Sequence, residues 1–166
     1  MQDLLPKAEK LGALLKARKE TVAVSESSSG GLVSAALLAV PGASAYFGGS
    51  AVVYTRQARL ALLGITESGM AGTRPSSESY ARLLARTVRE RLGTDWGIAE
   101  TGAAGPDGNR YGDAAGHSCI AVSGATEKVI TVETGSADRA ANMRAFAAAL
   151  LELFTEVIQT AADTTP

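Results

Sequence analysis

The stretch TVAVSE-SSSGG-LVSAALLAV, residues 21–40, constrains the fold more than any other part of the chain. Its first six residues, 21–26, are mostly apolar and β-branched, which suits a short, largely buried strand. Ser27, Ser28, Ser29, Gly30 and Gly31 then form a loop, and residues 32–40 read as a helix that Pro41-Gly42 stops. A strand that runs through a tight loop straight into a helix is the opening of an α/β unit, whose natural continuation is a parallel strand.

The rest of the chain repeats that logic. Leu4, Leu5, Ala8, Leu11, Leu14 and Leu15 lie on one face of a helix over 3–19. Residues 50–54 predict a second strand, and 55–63 a short helix closed by Gly64. Residues 64–75 form a long connection, after which Ser76 or Ser77 caps a helix running to about Leu92. A third strand is expected over 96–100, followed by a glycine-rich loop, TGAAGPDGNRYGD. Residues 117–123 and 128–134 read as a hairpin. Asp138 is placed to cap a last helix with a buried stripe of Met143, Phe146, Ala147, Leu150, Phe154 and Val157. The tail from residue 159 is polar and expected to fray.

The sum is one α/β domain over 1–166, with its core over about 3–158. It has three layers, helices on both faces of a mixed, mostly parallel sheet, and a late antiparallel hairpin. Aromatic residues make up only 5% of the chain, so the core is built from small aliphatic side chains that let helices sit close to the sheet.

Composition narrows the function. A net charge of −1 provides no broad basic field for nucleic acid. Cys119 and His117 are the only residues of their types, so an internal disulfide and any site needing several imidazoles or thiolates are excluded. The charged N-terminal stretch is unlike a secretory signal, and no apolar run is long enough to cross a bilayer, so the expected location is cytoplasmic, without membrane attachment. The apolar content is compatible with a homo-oligomer.

Three places can carry chemistry. In the Ser27–Gly31 loop, hydroxyls and two glycines precede a helix whose free N–H groups attract an anion such as phosphate. The loop at Thr101, Gly102 and Gly105 follows a buried strand, and ligands gather at such strand ends in α/β sheets. Ser44 follows Pro-Gly in a turn, with Tyr54 and Arg59 further on; a serine there needs a neighbouring base to become a nucleophile. Arg139 and Arg144, near the start of the last helix, are side chains suited to a phosphate. Cys119 alternates with apolar residues as a buried thiol, and Arg82, Arg86 and Arg89 form a solvated stripe. Trp96, Tyr46 and Phe47 read as packing residues.

Four motifs in order, ESSSGG at 26–31, PGAS at 41–44, YTRQAR at 54–59 and TGAAGP at 101–106, resemble the CinA C-terminal domain family over about residues 3–158. The resemblance implies hydrolysis of the amide of nicotinamide mononucleotide to nicotinate mononucleotide and ammonia, a step of pyridine nucleotide salvage, with no cofactor and no metal. It also implies a serine–lysine catalytic pair, matched here by Ser44 and Arg59, with Tyr54 beside them. Ser27, Ser29, Gly30, Gly31, Thr101, Gly102, Gly105, Arg139 and Arg144 are then expected to bind the substrate.

Two departures bear on activity. Desolvated lysine can lose its proton and act as a base, whereas a guanidinium only donates. The segment at 108–118 also differs from the family pattern. His117 or Glu100, near the second loop, would be the replacement bases. The alternative is a non-catalytic nucleotide-binding paralogue or an interaction module of the same fold.

Overall fold

The computed structural model describes residues 1–70 and 72–163. Five helices and five strands alternate as expected: α1 (Leu5–Arg18), β1 (Val22–Glu26), α2 (Leu32–Leu38), β2 (Phe47–Val52), α3 (Arg56–Leu63), α4 (Glu78–Leu92), β3 (Trp96–Ala103), β4 (His117–Ser123), β5 (Lys128–Glu133) and α5 (Arg139–Asp163). The strand order is β2-β1-β3-β4-β5. β1 is parallel to both β2 and β3, and β3-β4-β5 run antiparallel. The sheet is therefore mixed in the expected way, with half of its pairings antiparallel.

The two faces of the sheet differ in bulk. Val22, Val24, Trp96, Ile98, Ile120 and Val122 face α1, α2 and α5, where they meet Leu11, Leu15, Leu37, Leu150 and Phe154. Trp96 packs on Phe154 with ring centroids 5.5 Å apart and planes tilted by 58°. Ala23, Ala99, Cys119 and Ala121 face α4, which answers with Ala81, Leu84, Ala85 and Val88. Small residues on both sides let α4 lie close across all five strands. Cys119, Trp96 and Tyr46 are packing residues, each at most 2% exposed.

The caps follow the sequence closely. The Thr55 hydroxyl accepts from the Ala58 N–H, and the Ser77 hydroxyl accepts from the Tyr80 N–H. Asp138 Oδ1 accepts from the Ala141 N–H at 3.0 Å. Of the two expected caps for α4, Ser77 serves; Ser76 takes a left-handed φ of 56° and turns towards the strand ends.

Three boundaries differ from expectation by three residues or more. β2 begins at Phe47, not at residue 50, because Gly48 and Gly49 belong to the strand. A side chain at Gly48 would come within 2.4 Å of Thr94 Cγ2, so this glycine permits a close approach and does not mark a turn. β3 continues three residues past Glu100, since Thr101, Gly102 and Ala103 pair with Cys119, Ser118 and His117. α5 continues to Asp163, where fraying was expected from residue 159, because Ala161 packs against the core. Residues 164–166 of that tail lie outside the described residues.

Candidate active site

β1, β2 and β3 end at one edge of the sheet, because β1 is parallel to both neighbours. A hollow of about 410 Å³ opens there. Ser27 from the β1–α2 loop, Tyr54 and Arg59 from the β2–α3 region, and Thr101 and Gly102 from β3 all line it. A smaller hollow of about 160 Å³ adjoins it, sharing Tyr54, Gly102 and Asn109 and reaching Ser28, Gly105 and Arg139. The two expected loops therefore do flank one crevice.

Two fully buried carboxylates lie behind its lining and hold the β1–α2 loop. Glu26, the last residue of β1, accepts from the N–H groups of Gly31, Val33 and Ser34 and from the hydroxyls of Ser29 and Ser34, at 2.6–3.2 Å. Glu100 accepts from the N–H groups of Ser27 and Ser29 and from the hydroxyls of Ser28 and Ser118. Together they tie the ESSSGG loop to β1 and β3.

This network corrects several sequence expectations. The anion at the start of α2 is the chain's own Glu26, so that helix end is occupied and offers little to a substrate phosphate. Ser29 faces Glu26, and Gly30 and Gly31 wrap the helix start; none of the three lines either hollow. Glu100 is fully buried with all its donors in place, so it is a scaffold group and no replacement base. The sequence signal was the acid at the end of β1, followed by small residues up to Ser34.

Ser44 is not brought to the crevice. It sits exposed in a 3-10 turn, Ala43–Ala45, before β2 begins. β2 runs parallel to β1, from Phe47 beside Val22 to Val52 beside Glu26. Ser44 therefore lies at the opposite end of the sheet from Tyr54 and Arg59, about 20 Å away for a strand of that length. Of the candidate serines, Ser27 and not Ser44 lines the main hollow with Tyr54 and Arg59. Ser27 is half-buried on the wall of the main hollow, and no hydrogen bond engages its hydroxyl among the described residues.

The arginines divide by occupation. Arg59 is only 4% exposed; it donates to the Ile65 carbonyl and, at 2.6 Å, to Glu67. Arg139 donates to the Gly105 carbonyl at 2.5 Å and to the Tyr54 hydroxyl at 3.2 Å, bridging β2–α3 to the 103–108 loop. Arg144 is exposed on α5 and lines neither hollow. Arg56 and Arg110 line the main hollow and had no place in the sequence reading.

His117 stands behind the wall. Its Nδ1 faces Glu133 at 2.5 Å, its Nε2 faces the Ser76 carbonyl at 2.9 Å, and Asp113 lies 3.8 Å away. Burial pulls the imidazole pKa down, but Glu133, the Ser76 carbonyl and Asp113 outweigh it, and the value lies above the ordinary one. Both nitrogens face acceptors, so neither is open to a substrate, and the protonated ring can donate to both. Ser76 in turn donates its N–H to Thr101 Oγ1 at 3.2 Å, and both residues line the hollow. Burial raises the Tyr80 phenol, with the Arg59 guanidinium pulling it the other way. Among the described residues, no three His, Cys, Asp or Glu side chains are grouped to hold a metal ion, and no helix is long and apolar enough to cross a membrane.

Residues 5–158 match the model of the CinA C-terminal domain. The chain belongs to that family. It is 35% identical to a CinA-like protein of Chloroherpeton thalassium over 160 residues, covering 93% of this chain and 38% of that one. With a CinA-like protein of Synechocystis it shares 48% identity over 101 residues, 61% of this chain and 24% of that one. The chain thus spans well under half the length of these curated relatives. Solved structures agree in fold. A CinA superfamily protein of Klebsiella pneumoniae superposes with a TM-score of 0.88 at 22% identity, covering 95% of this chain and 98% of that one. One from Enterobacter cloacae gives 0.86 at 26% identity, covering 93% and 92%. The three-layer α/β architecture with its mixed sheet is the CinA fold.

Proposed function

We propose that this CinA-family chain hydrolyses the amide of nicotinamide mononucleotide, releasing ammonia and nicotinate mononucleotide. The observation that carries the reading is the unengaged Ser27 hydroxyl, on the wall of a hollow that tyrosines and guanidinium groups share. A hollow of this size falls within the range for small-molecule ligands.

In the proposed reaction Ser27 Oγ attacks the amide carbonyl. The Tyr54 hydroxyl passes a proton to the departing nitrogen as it takes the one from serine, and ammonia leaves. Water then splits the resulting ester, freeing Ser27 and the carboxylic acid. Gly102 lines the crevice, and strand-end backbone groups of this kind suit a developing oxyanion. Arg59 adds fixed positive charge without moving a proton.

A second reading has an observation of its own. Among the described residues the lining of the main hollow contains no carboxylate, histidine or lysine. A serine without a base is a weak nucleophile. That favours a paralogue that binds the nucleotide without turning it over. One assay separates the two: ammonia release from nicotinamide mononucleotide by wild type, Ser27→Ala, Ser44→Ala and Arg59→Lys. The amidohydrolase reading expects turnover in wild type, loss of about a hundredfold or more in Ser27→Ala, and unchanged turnover in Ser44→Ala. Saturable binding with no ammonia from wild type, and ammonia only from Arg59→Lys, would establish the binding paralogue instead.

A further inference from the structure

The guanidinium groups around the crevice are unequally committed. Five arginines stand there: Arg56, Arg59, Arg74, Arg110 and Arg139. Arg59 is held by the Ile65 carbonyl and Glu67. Arg139 is held by the Gly105 carbonyl and Tyr54. Arg74 forms a two-pronged pair with Asp113 at 2.6 and 3.0 Å and stacks over the Tyr111 ring at 5.6 Å. The remaining two are spare. Arg56 is about three-quarters exposed, and its one ionic contact is Glu67 at 4.0 Å, a carboxylate already taken by Arg59. Arg110 is exposed and makes no hydrogen bond or ion pair among the described residues.

Both spare groups line the main hollow, Arg56 from the start of α3 and Arg110 from the β3–β4 connection. Arg56 is the first residue of α3, at the positive end of a helix with no acidic residue in its first turn. A cation there is unfavourable unless an anion joins it. Arg110 projects from a turn that is firmly built. Asn109 Oδ1 accepts from the N–H groups of Tyr111 and Asp113, Asn109 Nδ2 donates to Asp113, and Asp113 is clamped by Arg74. The backbone beneath Arg110 is thus held in place, while its guanidinium remains available over the hollow.

We propose that Arg56 and Arg110 form the subsite for the phosphate monoester of the substrate, while Ser27 and Tyr54 receive the base. This deepens the mononucleotide reading above and rests on it for the site, but not on turnover. Two planar guanidinium groups suit the three free oxygens of a phosphomonoester. They would select a mononucleotide over the corresponding nucleoside.

The test is calorimetric titration of the full chain with nicotinamide mononucleotide and with nicotinamide riboside, which lacks the phosphate. The proteins are wild type, Arg56→Gln/Arg110→Gln, and Arg82→Gln as a control on an exposed α4 arginine outside the hollow. The proposal expects wild type to bind the mononucleotide at least about tenfold more tightly than the riboside. It expects the double variant to lose that preference while keeping its riboside affinity, and Arg82→Gln to behave as wild type. Retained riboside binding also shows that the double variant is folded. Three results would each overturn the proposal: an undiminished preference in the double variant, an equal loss for both ligands, or no binding of the mononucleotide by wild type. Binding with this pattern but without ammonia release would uphold the subsite and remove the hydrolytic reading.

Discussion

Single residues decide which groups at the crevice are free to act. Glu26 and Glu100 are both fully buried acids, and each is surrounded by donors. Buried carboxylates are tolerable only when hydrogen-bonded, so the serine-rich loop serves as their solvent. Glu26→Gln keeps the shape but turns an amide NH2 towards N–H groups. It is expected to cost about 3 kcal/mol in urea unfolding. The same measurement on Ser44→Ala should show almost nothing, since Ser44 is exposed and no side-chain bond holds it. Swapping these two outcomes would mean the loop is not organised around its acids.

At the scale of elements, the contact of α4 with β3 is the tightest fit. A side chain at Gly97 would place its Cβ 2.0 Å from the Ala85 carbonyl oxygen, which is backbone and cannot rotate aside. Gly97→Ala must push α4 off the sheet, at about 3 kcal/mol, read as a lowered melting temperature. α4 begins immediately after Ser76 and Ser77, so the displacement would also loosen the Ser76 wall of the hollow. Gly102 reads in the sequence as part of a glycine-rich loop. Gly48, Gly97 and Gly102 are all strand positions where a neighbouring segment leaves no room for a side chain. That is why β2 and β3 were read short: proximity across the sheet has no local signature, and a glycine in a turn looks the same as one under a helix.

For the whole molecule, His117 joins parts distant in sequence. It faces Glu133 on β5, Asp113 on the β3–β4 connection, the carbonyl of Ser76 before α4, and Cys119 on its own strand at 3.7 Å. Asp113 is itself held below the usual carboxylate range, chiefly by Arg74. Because the folded-state pKa of His117 is raised, its contribution to stability is full below the unfolded value. It is lost as pH rises through the folded one. His117→Gln should therefore cost about 2 kcal/mol near pH 6 and much less near pH 9, compared by urea unfolding against wild type. A gap that does not shrink with pH would show that the ring is neutral in the fold. Since His117 is the only histidine, its own titration can be followed by NMR without assignment ambiguity.

What the amino-acid order determined by itself was local and periodic. The alternation of β-branched runs with amphipathic helices, the caps at Ser77 and Asp138, and the loops after β1 and β3 were all visible, because each depends on residues within a turn or two. Family membership was visible for the same reason, in four short motifs. Tertiary structure decided the rest. The direction of β2 sent Ser44 to the far end of the sheet and left Ser27 facing the hollow. The fold closed Glu26 and Glu100 into a buried hydrogen-bonded network beneath the β1–α2 loop, turned His117 into a strut, and left Arg56 and Arg110 uncommitted on one hollow. These depend on which strands are neighbours and on which charges find partners across the molecule, and no window along the chain contains either.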